Sequence, residues 1–197
     1  MDRYQDKLHG QIAGKTAITY LHLTALSGLL VLVHLGAGAI LRQSGLHIPG
    51  ISGLIWMPLL IIGKVRWSTR ISGSYMAFAS SAVVFLVMPK IGLGMAGPWM
   101  APFLRYGIPG LALDILWPVA ERLSGKYLAY LIAATGTGAL SHTSKVLFVL
   151  LSCYSLGRSL PCNLTMLAML HFAFGAGGGF IGILLGSLGR GKRPGAA

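Results

Sequence analysis

Three ionisable side chains, Arg105, Asp114 and Lys145, fall within or at the edge of apolar stretches of this 197-residue chain. They are where it could do chemistry. On insertion scales a charge at the centre of an apolar helix costs about 2.5–3.5 kcal/mol, so such groups usually face a cavity or a partner. Arg105 and Asp114 are nine residues apart, too far to pair on one helix, where contacts run to i+3 and i+4. Asp114 is the only deep carboxylate against two deep cations. Lys145 closes a polar block that begins with Ser141, His142, Thr143 and Ser144. The cations either line a polar cavity for an anionic or hydrogen-bonding ligand, or snorkel to the outer headgroups on their long stems. For Arg105 both readings stand; for Lys145 the polar neighbours favour the cavity.

Motifs with catalytic spacing carry less. Gly186-Ser187-Leu188-Gly189-Arg190-Gly191-Lys192 matches a phosphate loop, but Arg193 stands where a Ser or Thr would hold magnesium, and no strand precedes it. Gly50-Ile51-Ser52-Gly53 resembles the serine motif of rhomboid intramembrane proteases, with His171 as the base that would activate Ser52. Rhomboids place several helices before that serine and this chain only one, so a glycine-rich loop cap is the plainer reading. Six histidines form no metal-binding motif, and His22 and His34, twelve apart, sit about a third of a turn out of phase. No metal, no cofactor and no enzymatic activity is expected.

The elements that must position these residues follow from composition. Charged residues make up 10% of the chain against about 25% in soluble proteins, hydrophobic residues 54%, and the mean hydropathy is +0.72. An all-α membrane protein is predicted, because a lipid-embedded segment must satisfy its own backbone hydrogen bonds. The formal charge of +12 does not indicate nucleic acid: the cations cluster at the ends of apolar runs rather than among aromatics on a polar face. Topogenic charge facing anionic lipid accounts for it. Six spans are expected, roughly 17–41, 51–63, 71–88, 103–119, 127–156 and 164–188, forming one membrane domain over 1–197. Residues 1–14 read as a short interfacial helix. The second span is short or broken, and the fourth is interrupted by Pro109-Gly110 and Pro118. Eleven of the sixteen Lys and Arg residues lie in the two tails and the gaps 64–70 and 121–126. Cations resist translocation, so both termini are predicted to be cytoplasmic. Ala37-Gly38-Ala39 mimics a signal-peptidase site, but Ala17–Val33 already exceeds the roughly 7–15 residues of a signal core. Cys153 and Cys162, flanking Pro161 in a predicted outside loop, could form a disulfide or stay as thiols.

Small residues mark packing surfaces. Gly178, Gly182 and Gly186 repeat every four residues, Gly175 and Gly179 form a second pair, and Ala13 and Ala17 a third. Such ridges let helix backbones approach closely, most simply inside the bundle. Ala13 and Ala17, at a membrane edge, also suit docking of another subunit.

With these features the chain resembles the membrane-embedded substrate-binding (S) component of an energy-coupling factor transporter. The resemblance rests on Ala13-x-x-x-Ala17 and on His47-Ile48-Pro49-Gly50-Ile51-Ser52-Gly53 leading to Met57-Pro58-Leu59-Leu60. It rests also on Tyr106-Gly107-Ile108-Pro109-Gly110 through Asp114, and on the glycine-rich run His171 to Gly182. It implies six helices in a bacterial or archaeal cell membrane and an outward-facing site for a vitamin or related micronutrient. It implies as partners a transmembrane coupling subunit, met by Ala13 and Ala17, and two ATPases. By position it points to His47, Trp99, Arg105, Tyr106, His142, Lys145, Asn163 and His171 as ligand contacts. The polar fifth span and the two deep cations depart from the family's usual look. Cations and aromatics together favour a small ring-containing anion or polar heterocycle. The rival readings are an intramembrane enzyme built on Ser52 and His171, and a small membrane scaffold.

Overall fold

A computed structural model describes residues 2–45, 48–67, 69–87, 101–123, 125–155, 157 and 163–188, without the side chains of 2–13, 42, 101 and 102. Every regular element in it is a helix: α1 (Asp2–Gln43), α2 (Gly53–Arg66), α3 (Ser72–Val87), α4 (Ala101–Arg122), α5 (Tyr127–Thr143), α6 (Lys145–Ser155) and α7 (Leu164–Ser187). The all-α class expected from composition is therefore found.

Element boundaries differ from expectation in instructive places. The N-terminal residues form no separate helix, because α1 runs unbroken for 42 residues. The second run is short and intact: α2 has 14 residues, about 21 Å of rise, with Pro58 inside it. α4 likewise continues through Pro109 and Pro118. Proline removes a helix hydrogen bond, but close packing holds α4 here. A Cβ added to Gly110 would lie 2.4 Å from the Cβ of Ala77 on α3. The polar stretch ending at Lys145, by contrast, is divided between α5 and α6. There Thr143 Oγ1 donates to Ala139 O (2.8 Å) and Ser144 Oγ to Ser141 O (2.6 Å). The hydroxyls compete with backbone N–H groups for those carbonyls, and the Leu147 N–H closes a tighter turn on Ser144 O.

In packing order the helices run α2, α7, α5, α4, α3, α1, with α1 returning against α2. The glycine ridges pack inside this bundle. Cβ atoms added to Gly178 and Gly182 would lie 2.2 Å from Gly53 O and 2.8 Å from Pro58 O, both on α2. On the adjoining face of α7, Gly175 and Gly179 press against Gly138 of α5. The core fills with Trp56, Met57, Leu60, Ile61, Leu23, Met76 and Leu113.

Polarity is inverted relative to a water-soluble protein. Ile115 is 75% exposed and Leu32 70%, while Ser27, Ser72, Ser80, Ser81, Thr137 and Ser141 are buried. Two helical stretches, Gly14–Leu41 and Leu164–Ser187, are long and apolar enough to cross a membrane.

Asp114 is not the carboxylate of a ligand cavity. It pairs at 2.5 Å with Lys64, a residue whose charge the sequence alone assigns to topology; their side chains are 9% and 2% exposed. Lys64 Nζ also donates to Thr69 O (2.9 Å) and Arg70 O (3.0 Å). Asp114 accepts from Gly73 N–H (2.9 Å), Ser74 N–H (2.6 Å) and Ser74 Oγ (2.5 Å), capping the start of α3. Removing one partner of a buried pair strands the other charge and costs about 3–5 kcal/mol. Asp114→Asn should lose about that much in chemical denaturation in detergent. Lys64→Met combined with Asp114→Asn should be more stable than Asp114→Asn alone, and the reverse order would refute this account.

Candidate functional site

At the start of α2, opposite the end where Lys64 pairs with Asp114, six helices bring polar and aromatic side chains together. α2 carries Trp56, with Ser52 just before its first turn. α5 and α6 supply His142 and Lys145, α7 His171, α4 Tyr106 and α1 His34. The turn into α2 depends on Gly50, whose φ of +81° favours glycine. A Cβ there would also lie 2.9 Å from the backbone N of His171. That turn presents Gly50 O to His142 Nε2 at 2.9 Å. A carbonyl only accepts, so Nε2 carries the hydrogen. By the same logic His171 donates through Nδ1 to Leu167 O (2.9 Å). The two imidazoles stack with centroids 5.0 Å apart. Gly53 and Gly175 make room for them: an added Cβ would meet His142 Cδ2 at 2.7 Å and His142 Cβ at 2.6 Å respectively.

Lys145 lies beside this stack, 4% exposed. Its ammonium sits 4.0 Å from the centroid of the buried Trp56 ring, a cation–π contact. Its hydrogen bond, to Ser52 Oγ, is long at 3.5 Å. Tyr106, also buried, packs on Trp56 with centroids 4.5 Å apart, and His34 stands edge-on to both rings. Among the described residues, the buried atoms Trp56 Nε1, His142 Nδ1 and Ser141 Oγ have no hydrogen-bond partner.

Among the described residues no carboxylate side chain pairs with Lys145. The chain has four acidic residues: Asp2, Asp6, Asp114 and Glu121. Asp114 is held by Lys64 and the start of α3. Glu121 is about 22 Å along α4 from Tyr106, and Asp6 about 42 Å along α1 from His34, at 1.5 Å per residue. A buried ammonium with three donors, one long hydrogen bond and no counter-ion can hold an anion.

Of the residues expected to contact a ligand, the fold gathers Tyr106, His142, Lys145 and His171. Arg105 is exposed, its guanidinium 6.0 Å from the Tyr106 ring and outside the buried cluster. Asn163 caps α7, accepting from Met166 N–H at 2.8 Å, so its side chain has a structural task. His47, Trp99 and Cys162 lie outside the described residues. Ala17 is exposed on α1, and the side chain of Ala13 is outside the description. Trp56, Ser52 and His34 join the cluster without having been expected as ligand contacts. The i, i+4 spacing of Ser52 and Trp56 was the available signal, since it puts both on one helix face. Ser52 faces Lys145, and no hydrogen bond joins it to His171 among the described residues. The N–H groups of Gly53 and Leu54 are committed to Gly50 O (2.7 Å) and Ile51 O (3.1 Å), so neither offers a free donor for an oxyanion.

Comparisons with protein-family models, with curated proteins and with solved structures returned no match.

The backbone contacts behind the site give a direct test. In Gly175→Ala the new Cβ would lie 2.9 Å from Gly138 O and 3.0 Å from Ala139 Cα, which are backbone atoms that move only with the helix. Overpacking of this kind costs about 1–3 kcal/mol. Denaturation should show that loss for Gly175→Ala and little change for Gly136→Ala, whose added Cβ meets nothing within 4 Å.

Proposed function

We propose that this protein is the membrane-embedded substrate-binding component of an ATP-driven micronutrient uptake transporter. Its ligand is a vitamin or precursor, a small ring-containing anion or polar heterocycle. The carrying observation is Lys145: a buried ammonium, set against aromatic rings, for which the chain supplies no reachable carboxylate.

Further support comes from the distribution of polarity. An apolar exterior, with serines, a threonine, histidines and lysines buried among the apolar core, suits lipid as the solvent of a multi-pass cell-membrane protein. In this reading α5 and α6 together make one crossing, giving six with both termini cytoplasmic. Exposed Arg66 lies near the C-terminal end of α7, donating to Leu188 O, and exposed Arg70 follows in the loop whose carbonyl Lys64 binds. The cluster lies at the other end of α2. With the basic end cytoplasmic, the cluster opens outwards, where a solute would be captured. Exposed Ala17, with Ala13 one turn before it, is the proposed contact of the coupling subunit, and two ATPases complete the transporter.

Native mass spectrometry of detergent-purified protein should find a bound small molecule that Lys145→Ala loses. Nanomolar binding of a purely cationic solute that survives Lys145→Ala would overturn the reading. Tags at both ends should be accessible only from the cytoplasmic side of intact cells; opposite sides would refute the even number of crossings.

A further inference from the structure

The cluster's charge and donor inventory narrow the ligand further, given its reading as a binding site. Protonated, Lys145 carries one positive charge that no carboxylate among the described residues balances, and Lys64, the other buried lysine, is already neutralised by Asp114. A monoanion would make the site neutral. A dianion would leave a net negative charge in apolar surroundings, which is unfavourable. Arg105 adds a second cation at the edge of the cluster, beside Tyr106, but it is exposed and water and salt screen its charge.

Donor geometry argues the same way. Phosphate is held by several convergent N–H groups, at a helix start or in a backbone nest. The start of α2 offers none: Gly53 and Leu54 donate to Gly50 O and Ile51 O, and Ile55 and Trp56 to Ser52 O. At the start of α7, Met166 N–H is taken by Asn163. The two histidines each spend an N–H on a carbonyl, Gly50 O and Leu167 O. What remains is an ammonium with donors to spare, the Ser52 hydroxyl beside it, and the unpartnered Trp56 Nε1–H and Ser141 hydroxyl. Those suit the two oxygens of a single carboxylate. Beside the ammonium the rings are packed on one another, Trp56 on Tyr106 with His34 edge-on to both, so a ligand ring would replace Lys145 on the Trp56 face. Flat aromatic walls favour a planar partner over a flexible chain.

From these observations we infer that the site selects a planar, ring-bearing monocarboxylate. Its carboxylate sits on Lys145 Nζ and Ser52 Oγ, and its ring lies against Trp56 and Tyr106. Trp56 is then a specificity residue on a helix that sequence reasoning left out of the site. It holds the ammonium in the unliganded protein and the ring in the liganded one.

The test is thermal stabilisation and titration of purified protein in detergent with defined probes. They are benzoate, pyridine-3-carboxylate and indole-3-acetate, their primary amides, phenyl phosphate, and decanoate as a monoanion without a ring. At least one aromatic acid should raise the melting temperature while its amide does not. Lys145→Gln should weaken that acid about a hundredfold and narrow or reverse the acid–amide preference, as expected when a buried charged partner is lost. Ser52→Ala should weaken the acid several-fold. Trp56→Leu should bind decanoate as well as it binds the aromatic acid. Equal binding of acid and amide by the unaltered protein, preference for phenyl phosphate, or indifference to Lys145→Gln would overturn the inference. If no probe binds, the molecule found by native mass spectrometry decides. A ring-bearing monocarboxylate upholds the inference, whereas a phosphate ester or uncharged solute ends it and leaves the transporter reading intact. No ligand in either experiment would overturn both.

Discussion

Close approach of the α2, α5 and α7 backbones is the constraint on which the rest of this structure depends. Along α7, glycine leaves no side chain to hold the helices apart. Gly178 and Gly182 take the backbone of α2 on one side, and Gly175 and Gly179 that of α5 on the other. Where little hydrophobic force drives apolar helices together, such contact lets dispersion and weak backbone interactions accumulate. It also decides what can sit at the end of the three helices. His142 fits between Gly53 and Gly175 because neither carries a Cβ, and Gly50 can reach it because its φ is positive.

Two buried lysines show opposite ways of living in an apolar interior. Lys64 is saturated, with Asp114 and two backbone carbonyls as acceptors, and it ties α2 to α4 and to the loop before α3. Its partner also caps α3, so the charge is absorbed by structure. Lys145 has a ring face and a distant hydroxyl. A buried charge is tolerable when acceptors surround it and expensive when they do not. The first lysine therefore belongs to the architecture, whereas the second is left short of acceptors.

This division bears on function because it separates two ends of one bundle. The saturated pair lies near the end that carries exposed Arg66 and Arg70, and the unsaturated cluster near the other. In the proposed orientation, the firmly closed end faces the cytoplasm and the receptive end faces outwards.

The sequence by itself determined the helical class, because low charge and long apolar runs leave few other ways to satisfy the backbone. It also singled out Lys145 with His142, since a cation inside an apolar stretch is costly wherever the chain folds. The internal packing role of the α7 glycines was legible from their spacing of four. Tertiary structure decided the partners. Asp114 had no visible partner until the fold brought Lys64 to it across fifty residues, and only the fold shows that Arg105 is exposed and that Asn163 caps a helix. Trp56 was indistinguishable from a core residue until Lys145 arrived above its ring. Spacing along a chain reports which residues share a helix face. Which charges meet, and which are left without a partner, depends on helices far apart in sequence, and only their packing decides that.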